Sequence, residues 1–274
     1  MQRQALVWKR AGLRIVFVPT MGALHEGHLG LMERARKMGD CVVASIYVNP
    51  VQFGPREDFS KYPRPVEQDR ALCRAAGVDV LFCPTSLYAP DDSTRVVEKS
   101  LSLGRCGRSR PGHFDGVTTV VAKLFLIVQP DVAVFGQKDA QQCDVIERMV
   151  RDLCFPVKIV RAPIRRDLRG LALSSRNAYL KPDEYAAALA FPRILREAVD
   201  GAPGARGAEK KARRLLAAAP GLKTDYVEWA AGRLCAAVFC GTTRLIDNVP
   251  CPQRAVRRKI AKVASVPIPA RHRA

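Results

Sequence analysis

Two histidines stand three positions apart in the segment PTMGALHEGH, where they could bind phosphate. His28 falls where apolar residues begin to recur at helical spacing, and His25 precedes it in a glycine-containing loop. Backbone amides at the start of a helix carry partial positive charge, so phosphate would be held there beside the two imidazoles. Gly22 and Gly27 would let the backbone turn and come close to the ligand.

Two other readings of these histidines stay open at this point. A zinc site of the HExxH type needs histidines four positions apart on a helix, whereas HEGH places them three apart on a loop. The histidines could also have only a structural role, capping the loop.

Two downstream segments carry charged and hydroxyl groups that suit a triphosphate. Lys138 and Asp139 follow one strand-like run, and Ser174, Ser175 and Arg176 follow another. A lysine and an arginine that converge on phosphates neutralise charge on the bridging and leaving oxygens, and hydroxyls donate hydrogen bonds. Each group alone is weak evidence, but together with HxGH in this order they indicate nucleotide chemistry.

Gln52 and Gln142 lie in two loops of the same kind. Their amides both donate and accept hydrogen bonds, which suits a ligand with hydroxyls and a carboxylate. For either glutamine alone, a plain surface role is the simpler interpretation.

The elements that must position these loops are strands and helices in alternation. Strand-like runs are RIVFVPT, CVVASIYVN, VDVLFCP, DVAVFG and VKIVRAP, with helical patterns between them. This alternation predicts an α/β class with a mostly parallel sheet covered on both faces. Ligands bind beyond the carboxyl ends of such strands, so we expect the loops above to converge there.

The alternation fades after about residue 176, which predicts a second, smaller domain of helix and strand. We expect a ligand-binding domain over residues 1–175, a small C-terminal domain over 176–250, and a disordered basic tail over 251–274. The tail has seven Lys or Arg residues and no acidic residue.

Composition narrows the possible functions. The 274 residues carry a formal charge of +19, which favours nucleic acid, an anionic surface or phosphorylated substrates as partners. No apolar run approaches the ~20 residues that cross a bilayer, and the start has no signal-peptide pattern, so we expect a cytoplasmic protein. The nine cysteines lack a CxxC pair, which indicates reduced packing residues.

Seven segments occur together in one order and resemble the pantothenate synthetase (pantoate–β-alanine ligase) family over roughly residues 14–249. They are PTMGALHEGH, SIYVNPVQFG, YPR, RPGHFDGV, FGQKDAQQ, GLALSSRN and TRLIDN. The resemblance implies a Rossmann-like nucleotidyltransferase domain of the HxGH superfamily with a smaller C-terminal α+β lid domain, assembled as a homodimer. It also implies that ATP and Mg²⁺ are used to form pantoyl adenylate, from which β-alanine displaces AMP to give pantothenate for coenzyme A biosynthesis.

The resemblance also implies roles for individual residues. His28 would be a general acid, with His25, Lys138 and Arg176 as the other catalytic groups around the phosphates. ATP would be bound by Met21, Gly22, Ala23, Leu24, His25, Glu26, Gly27, His28, Gly136, Gln137, Lys138, Asp139, Leu173, Ser174, Ser175 and Arg176. Gln52 and Gln142 would bind pantoate, and Asp69 matches an acidic position associated with Mg²⁺.

The chain departs from the family's pattern in three places. It begins 13 residues before Arg14, so we expect the family's usual first strand and part of the following helix to be missing. Arg169 stands where the family commonly has Asp, and Arg165 where an apolar residue is usual, which would alter the nucleotide pocket. The lid is shortened between Trp229 and Arg233, which would impair its closing.

Two alternatives to the ligase remain. One is another HxGH nucleotidyltransferase with a different acceptor, against which Gln52, Gln142 and RPGHF argue. The other is an inactive homologue whose basic surface binds nucleic acid, against which the complete set of charged groups at the phosphate site argues. We therefore expect pantoate, β-alanine and ATP as partners, and neither nucleic acid nor membrane.

Overall fold

A parallel sheet of five strands forms the centre of the N-terminal part of the chain. The structure is a computed structural model that describes residues 1–55 and 57–251. The strands are β1 (Ile15–Thr20), β2 (Cys41–Ile46), β3 (Val80–Phe82), β4 (Val132–Gly136) and β5 (Lys158–Ala162). Their order in the sheet is β3-β2-β1-β4-β5, and all four pairings are parallel. The predicted α/β class is confirmed.

Helices cover both faces of this sheet. They are α1 (Gln2–Arg10), α2 (Glu26–Arg36), α3 (Val66–Ala75), α4 (Arg105–Ser109), α5 (His113–Val128) and α6 (Ala140–Asp152). Alternate residues of β1 face opposite sides: Ile15 and Phe17 pack in the cluster with α5 and α6, whereas Val16 and Val18 pack with α2. Burial on both sides explains why these strands read as continuous apolar runs.

A second sheet of three antiparallel strands lies in the C-terminal part. Its strands are β6 (Leu222–Ala230), β7 (Arg233–Cys240) and β8 (Thr243–Pro250), in that order. They pack in one cluster with α7 (Pro182–Ala188), α8 (Ala190–Val199) and α9 (Ala205–Ala217). The other face reaches the N-terminal core, because Tyr226, Cys235 and Ala237 belong to the same cluster as α5.

The shortened segment between Trp229 and Arg233 forms a tight hairpin. Ala231 and Gly232 both have positive φ angles, 47° and 75°, which a two-residue turn of type I′ requires. The pair Ala230 and Arg233 closes the ladder directly beside this turn. The sheet is therefore continuous at this point.

Three further features concern the sequence predictions. Except for Cys251, the predicted basic tail lies outside the described residues. Within the described ranges, no helix combines the length and the hydrophobicity that a membrane crossing needs. All nine cysteines fall inside those ranges and are free thiols.

Candidate functional site

The loop after β1 and the start of α2 form one wall of a cavity. His25 is the N-cap of α2, and its Nδ1 accepts a hydrogen bond from the Gly27 amide at 3.1 Å. The His28 Nδ1 accepts from the His25 amide at 3.4 Å, and the two ring centroids are 4.1 Å apart. Because each Nδ1 accepts a hydrogen bond, the proton of each neutral ring lies on Nε2. Both rings therefore offer an N–H donor.

The electrostatic surroundings keep both rings neutral. Burial and then the charge of Lys138 lower the pKa of His25 to about 4. Burial, His25 and Lys138, in that order, lower the pKa of His28 to about 3. Near neutral pH the pair consists of two uncharged hydrogen-bond donors beside a lysine.

Asp69 fixes the backbone of the loop between β1 and α2 through hydrogen bonds to its amides. Its Oδ2 accepts from the Ala23 amide at 2.8 Å and its Oδ1 from the Leu24 amide at 2.7 Å. Ala23 and Gly22 have positive φ angles of 49° and 81°, and a Cβ on Gly22 would lie 2.9 Å from the Asp69 Oδ2. The loop conformation thus depends on this carboxylate.

The prediction that Asp69 binds Mg²⁺ does not fit this geometry. The residue is only 1% exposed, and both carboxylate oxygens already accept hydrogen bonds from the backbone. Asp69 belongs to α3 and contributes through the loop that it holds. Nor do the described residues contain a group of three or more His, Cys, Asp or Glu side chains that could bind a metal, which argues against the zinc reading of HEGH.

The loop after β4 brings Lys138 and Asp139 to the same cavity. Residues Gln137–Asp139 form a short 3-10 turn that leads into α6. The Lys138 Nζ lies 3.5 Å from Asp139 Oδ2, and the Asp139 side chain is 42% exposed. A lysine and an exposed carboxylate therefore stand side by side opposite the histidines.

A third loop, Leu173–Arg176, lies against the first one. The Ser175 hydroxyl donates to the Ala23 carbonyl at 3.1 Å. Arg176 forms a bidentate pair with Asp58, with Nε–Oδ2 at 3.0 Å and Nη2–Oδ1 at 2.8 Å. Planar carboxylate recognition of this kind resembles the way an arginine grips phosphate. Asp58 thus fixes the orientation of the Arg176 guanidinium.

The cavity between these loops has a volume of about 220 Å³. Gln52 and Gln142 are its two amides, and its apolar wall comes mainly from α5. That wall includes Tyr47, Val117, Val120, Val121, Leu124 and Phe135. A small, partly apolar molecule with polar ends fits such a lining.

Gln52 is held from several sides. It is 8% exposed, its Oε1 accepts from Asn49 at 3.2 Å, and its Nε2 lies 3.0 Å from the Met21 sulfur. Its carbonyl oxygen lies 2.9 Å from the His113 Nδ1 and 3.4 Å from an Arg110 nitrogen. These contacts fix both its side chain and its backbone.

A larger cleft of about 1060 Å³ adjoins the cavity. The two share five residues: Lys138, Asp139, Gln142, Ser174 and Arg176. On its far side the cleft is lined by residues of the C-terminal sheet, including Thr243, Arg244, Asp247 and Asn248. An extended anion at Lys138 and Arg176 would therefore lie between the two parts of the chain.

Most residues predicted to bind ATP line these cavities, and a few do not. Those that line one or both are Met21, His25, Gly27, His28, Gly136, Lys138, Asp139, Leu173, Ser174, Ser175 and Arg176. Gly22, Ala23, Leu24, Glu26 and Gln137 are outside both linings. Leu24 packs in the core and Glu26 faces solvent.

The two unusual arginines occupy different places. Arg165 lines the smaller cavity and pairs with Glu33 at 2.8 Å. Arg169 stacks over the Tyr185 ring, 5.5 Å from its centroid, and lines neither cavity. Only Arg165 can alter the pocket directly.

Four residues with evident roles were not predicted from the sequence: Asn49, Asp58, Arg110 and His113. Arg110 pairs with Glu57 through two hydrogen bonds of 2.9 and 2.5 Å and also contacts His113 at 3.0 Å. Burial and then Arg110 lower the pKa of His113 to about 3. The RPGHF segment was a usable signal for Arg110 and His113, whereas nothing in the sequence pointed to Asp58.

Comparisons with known proteins agree on one family. The family model described as pantoate-beta-alanine ligase matches residues 1–250. The pantothenate synthetase of Moorella thermoacetica is 50% identical over 260 residues, which cover 88% of this chain and 92% of that protein. The one from Sphingopyxis alaskensis is 48% identical over 268 residues, covering 91% and 96%.

Solved structures give the same result. The pantothenate synthetase from Thermus thermophilus matches with a TM-score of 0.83 and 46% identity, over 90% of this chain and 97% of that one. The pantoate-beta-alanine ligase from Francisella tularensis, complexed with beta-gamma ATP and beta-alanine, matches with a TM-score of 0.79 and 35% identity, over 90% and 95%.

Proposed function

The chain belongs to the pantoate-beta-alanine ligase family, and we propose that its cleft condenses pantoate with β-alanine, using ATP, to give pantothenate, AMP and pyrophosphate. The observation that carries this proposal is the convergence of three loops on one cavity. Lys138, Arg176 and the neutral pair His25 and His28 would surround the phosphates, and Gln52 lines the same cavity.

The small cavity suits pantoate. Its apolar wall on α5, formed by Val117, Val121 and Leu124, would contact the two methyl groups of the substrate. Gln52 and Gln142 would bind its hydroxyls and orient its carboxylate toward Lys138. The nucleotide would begin beside the histidines and Lys138 and extend into the adjoining cleft, which shares Lys138 and Arg176 with the small cavity.

In the first step, a carboxylate oxygen of pantoate attacks the α-phosphorus of ATP. An oxygen–phosphorus bond forms, the bond from the α-phosphorus to the bridging oxygen breaks, and pyrophosphate leaves with the electron pair. Lys138 and Arg176 would neutralise the negative charge that builds up on the phosphates. Most of the catalysis is then positioning and charge neutralisation.

We propose that His28 acts in this step first as a hydrogen-bond donor. Its ring is neutral at the lowered pKa of about 3, so its Nε2–H can donate to a phosphate oxygen. Pyrophosphate is a stable anion, and its departure does not require a proton on the bridging oxygen. The general-acid role expected from the family would require bound phosphates to raise the pKa of His28.

In the second step, the neutral amine of β-alanine attacks the carbonyl carbon of the pantoyl adenylate. A carbon–nitrogen bond forms, the bond from that carbon to the phosphate oxygen breaks, and AMP leaves while the nitrogen loses a proton to solvent. The mixed anhydride is already reactive, so no further catalytic group is needed. Asp58 would keep Arg176 near the phosphate during this step.

Mg²⁺ would enter with the nucleotide phosphates, whose charge it neutralises when bound. Magnesium keeps several waters and binds through phosphates plus one or two carboxylates. Asp139 fits that role, because it is 42% exposed beside Lys138, whereas Asp58 is engaged with Arg176. The residues present are therefore compatible with a metal carried by ATP.

Other expectations from the resemblance stay predictions. They are a cytoplasmic location, a homodimer, the absence of a nucleic-acid partner, and domain limits at residues 175 and 250. The site assignments for the residues in the three loops are likewise proposals.

Pantoate-dependent release of pyrophosphate from ATP by the purified full chain tests the proposed function. We expect release to require pantoate, to rise when β-alanine is added, and to collapse in His28→Ala. Pantothenate and AMP should be formed in equal amounts. A folded chain that binds ATP and releases no pyrophosphate with pantoate, or releases it with another acid instead, would contradict the proposal.

A further inference from the structure

The TRLIDN segment of β8 has no role in the reaction described above, yet it contacts the loop that carries Lys138. The Asn248 Nδ2 donates to the Gln137 carbonyl at 2.9 Å and to the Lys138 carbonyl at 3.0 Å. Its Oδ1 accepts from the Arg233 Nε. Since arginine only donates, the oxygen of the amide must face Arg233 and the nitrogen must face the loop. Asn248 is 2% exposed.

The preceding residue, Asp247, reaches the other active-site loop. Its side chain is 1% exposed and accepts two hydrogen bonds from Arg166, at 2.6 and 2.9 Å. Arg166 also donates to the Gly170 carbonyl at 3.2 Å and pairs with Ala172 in an isolated β-bridge. This is the base of the loop that continues into Leu173–Arg176.

One strand therefore holds two loops that come from different parts of the chain. Consecutive residues of a strand project to opposite sides, which lets Asp247 and Asn248 contact separate partners. The two are also joined to each other, because the backbone N–H of Asn248 donates to the Asp247 Oδ1 at 2.7 Å. Both residues also line the larger cleft, but the hydrogen bonds described here go to the two loops.

We propose that Asp247 and Asn248 are positioning residues that set the relative placement of Lys138 and of the Leu173–Arg176 loop for phosphate transfer. This inference rests on the proposed function. The turn Gln137–Asp139 has no side-chain hydrogen bond that caps it. The two hydrogen bonds from Asn248 to its carbonyls attach this turn to the C-terminal sheet. A displacement of about 1 Å in a positioning group can cost on the order of 10²-fold in rate.

The competing explanation is that the dipeptide only stabilises the C-terminal sheet. Val249 provides a matched control, because it is adjacent in β8, 5% exposed and packed in the C-terminal core cluster. Val249→Ala would destabilise the sheet by leaving a cavity while keeping both loop contacts. Comparison at similar losses of Tm separates the two explanations.

The first experiment compares Asn248→Ala with Val249→Ala in the full chain. For Asn248→Ala we expect the KM for ATP to rise about tenfold, as for the loss of a buried hydrogen-bond donor, with little change in the KM for pantoate. Hydrogen exchange measured by mass spectrometry should increase in residues 137–140. Val249→Ala should lower Tm without either effect.

Two results would overturn the inference. One is an unchanged KM for ATP and unchanged exchange in Asn248→Ala. The other is an equal rise of KM in Val249→Ala at an equal loss of Tm. If Asn248→Ala does not fold, Asn248→Ser, which keeps a shorter donor, provides the same comparison.

The second experiment uses Asp247→Asn, which keeps the shape and removes the charge that pairs with Arg166. We expect faster exchange in residues 166–173, normal exchange in residues 137–140, and a lower kcat. No change in residues 166–173 would remove Asp247 from the proposal. Hydrogen exchange is measured without turnover, so it tests positioning even if the wild-type chain fails to make pantothenate.

Discussion

The hydroxyl of Ser175 donates a hydrogen bond to the carbonyl of Ala23 at 3.1 Å, although the two residues are 152 positions apart in sequence. This contact ties the loop that carries Arg176 to the loop that precedes His25. The loop of the histidine pair and the loop of the arginine are therefore joined beside the position proposed for phosphate. Its loss should loosen the closure of the third loop over ATP.

We predict that Ser175→Ala raises the KM for ATP several-fold, because a hydrogen bond of this kind contributes about 1 kcal/mol. The KM for pantoate should change little, since Gln52 and its supports are untouched. Steady-state kinetics with each substrate varied in turn checks this. Ser86→Ala is the matched control, because the Ser86 hydroxyl bonds only within its own turn, to Tyr88. Equal effects in both variants would contradict the assignment.

Asp69 gives a second prediction, which separates loop support from metal binding. In Asp69→Asn, one buried amide of Ala23 or Leu24 would face an N–H group instead of an acceptor. We expect the free energy of unfolding to fall by about 2 kcal/mol and kcat/KM for ATP to fall with it. The Mg²⁺ concentration that gives half-maximal rate should stay the same.

Denaturant unfolding and an Mg²⁺ titration of the rate test that prediction. Glu67→Gln is the control, because Glu67 lies on the same helix, α3, with its side chain 81% exposed. A large increase in the Mg²⁺ requirement of Asp69→Asn at unchanged stability would show that Asp69 binds the metal after all.

Gly116 gives a third prediction, about the pocket that we propose for pantoate. A Cβ at Gly116 would lie 2.6 Å from both the amide nitrogen and the Cα of Gln52, and 2.7 Å from the carbonyl carbon of Val51. These are backbone atoms, so the loop itself must move. We expect Gly116→Ala to raise the KM for pantoate at least about tenfold, given the strictness of positioning, and to change the KM for ATP less.

Gly54→Ala is the matched control for this steric effect. It lies in the same loop as Gln52, and among the described residues a Cβ there would meet only the Glu57 side chain, at 3.5 Å. That is an ordinary contact, so the pantoate KM should not change. If Gly116→Ala raises both KM values equally, a general loss of folding explains the result better than displacement of Gln52.

The sequence was sufficient to predict the parallel sheet, for a physical reason that β1 illustrates. Val16 and Val18 face one layer of helices while Ile15 and Phe17 face the other, so burial on both sides leaves a continuous apolar run. The loops after such runs meet at one edge. That rule is enough to bring Lys138 and the histidines together from the sequence alone.

The supports of the site could not be predicted in this way. Asp58 holds Arg176 from 118 positions away, and Asn248 reaches Lys138 across 110 positions. Such hydrogen bonds depend on tertiary approach, and an isolated Asp or Asn in a sequence carries no mark of its partner. Asp69 is a third example: it matches a family position associated with Mg²⁺, and only the structure shows that both of its carboxylate oxygens accept hydrogen bonds from backbone amides.

The histidines give a fourth prediction, on the pH dependence of stability. His25, His28 and His113 have pKa values lowered from 6.5 to about 4, 3 and 3, each mainly by burial. Below pH 6.5 the unfolded chain therefore binds protons that the folded chain does not. The free energy of unfolding should fall as the pH drops from about 6.5 toward 4, by up to about 1.4 kcal/mol per pH unit for each histidine. Above about pH 6.5 the contribution of these histidines should no longer change with pH.

Urea unfolding of the wild type and of His28→Asn at pH 7, 6 and 5 measures this slope. In the variant, the free energy of unfolding should fall less steeply with decreasing pH, by the contribution of one histidine. The reason is that the removed side chain no longer takes up a proton on unfolding, and this holds whatever the stability of the variant at pH 7. Carboxylates titrate in both chains alike, so the difference between the two slopes isolates His28. His113→Asn should flatten the slope in the same way, although His113 lies beside Gln52 rather than beside the phosphates. Parallel profiles for wild type and His28→Asn would mean that His28 titrates normally in the folded chain, and the neutral donor role would then be wrong.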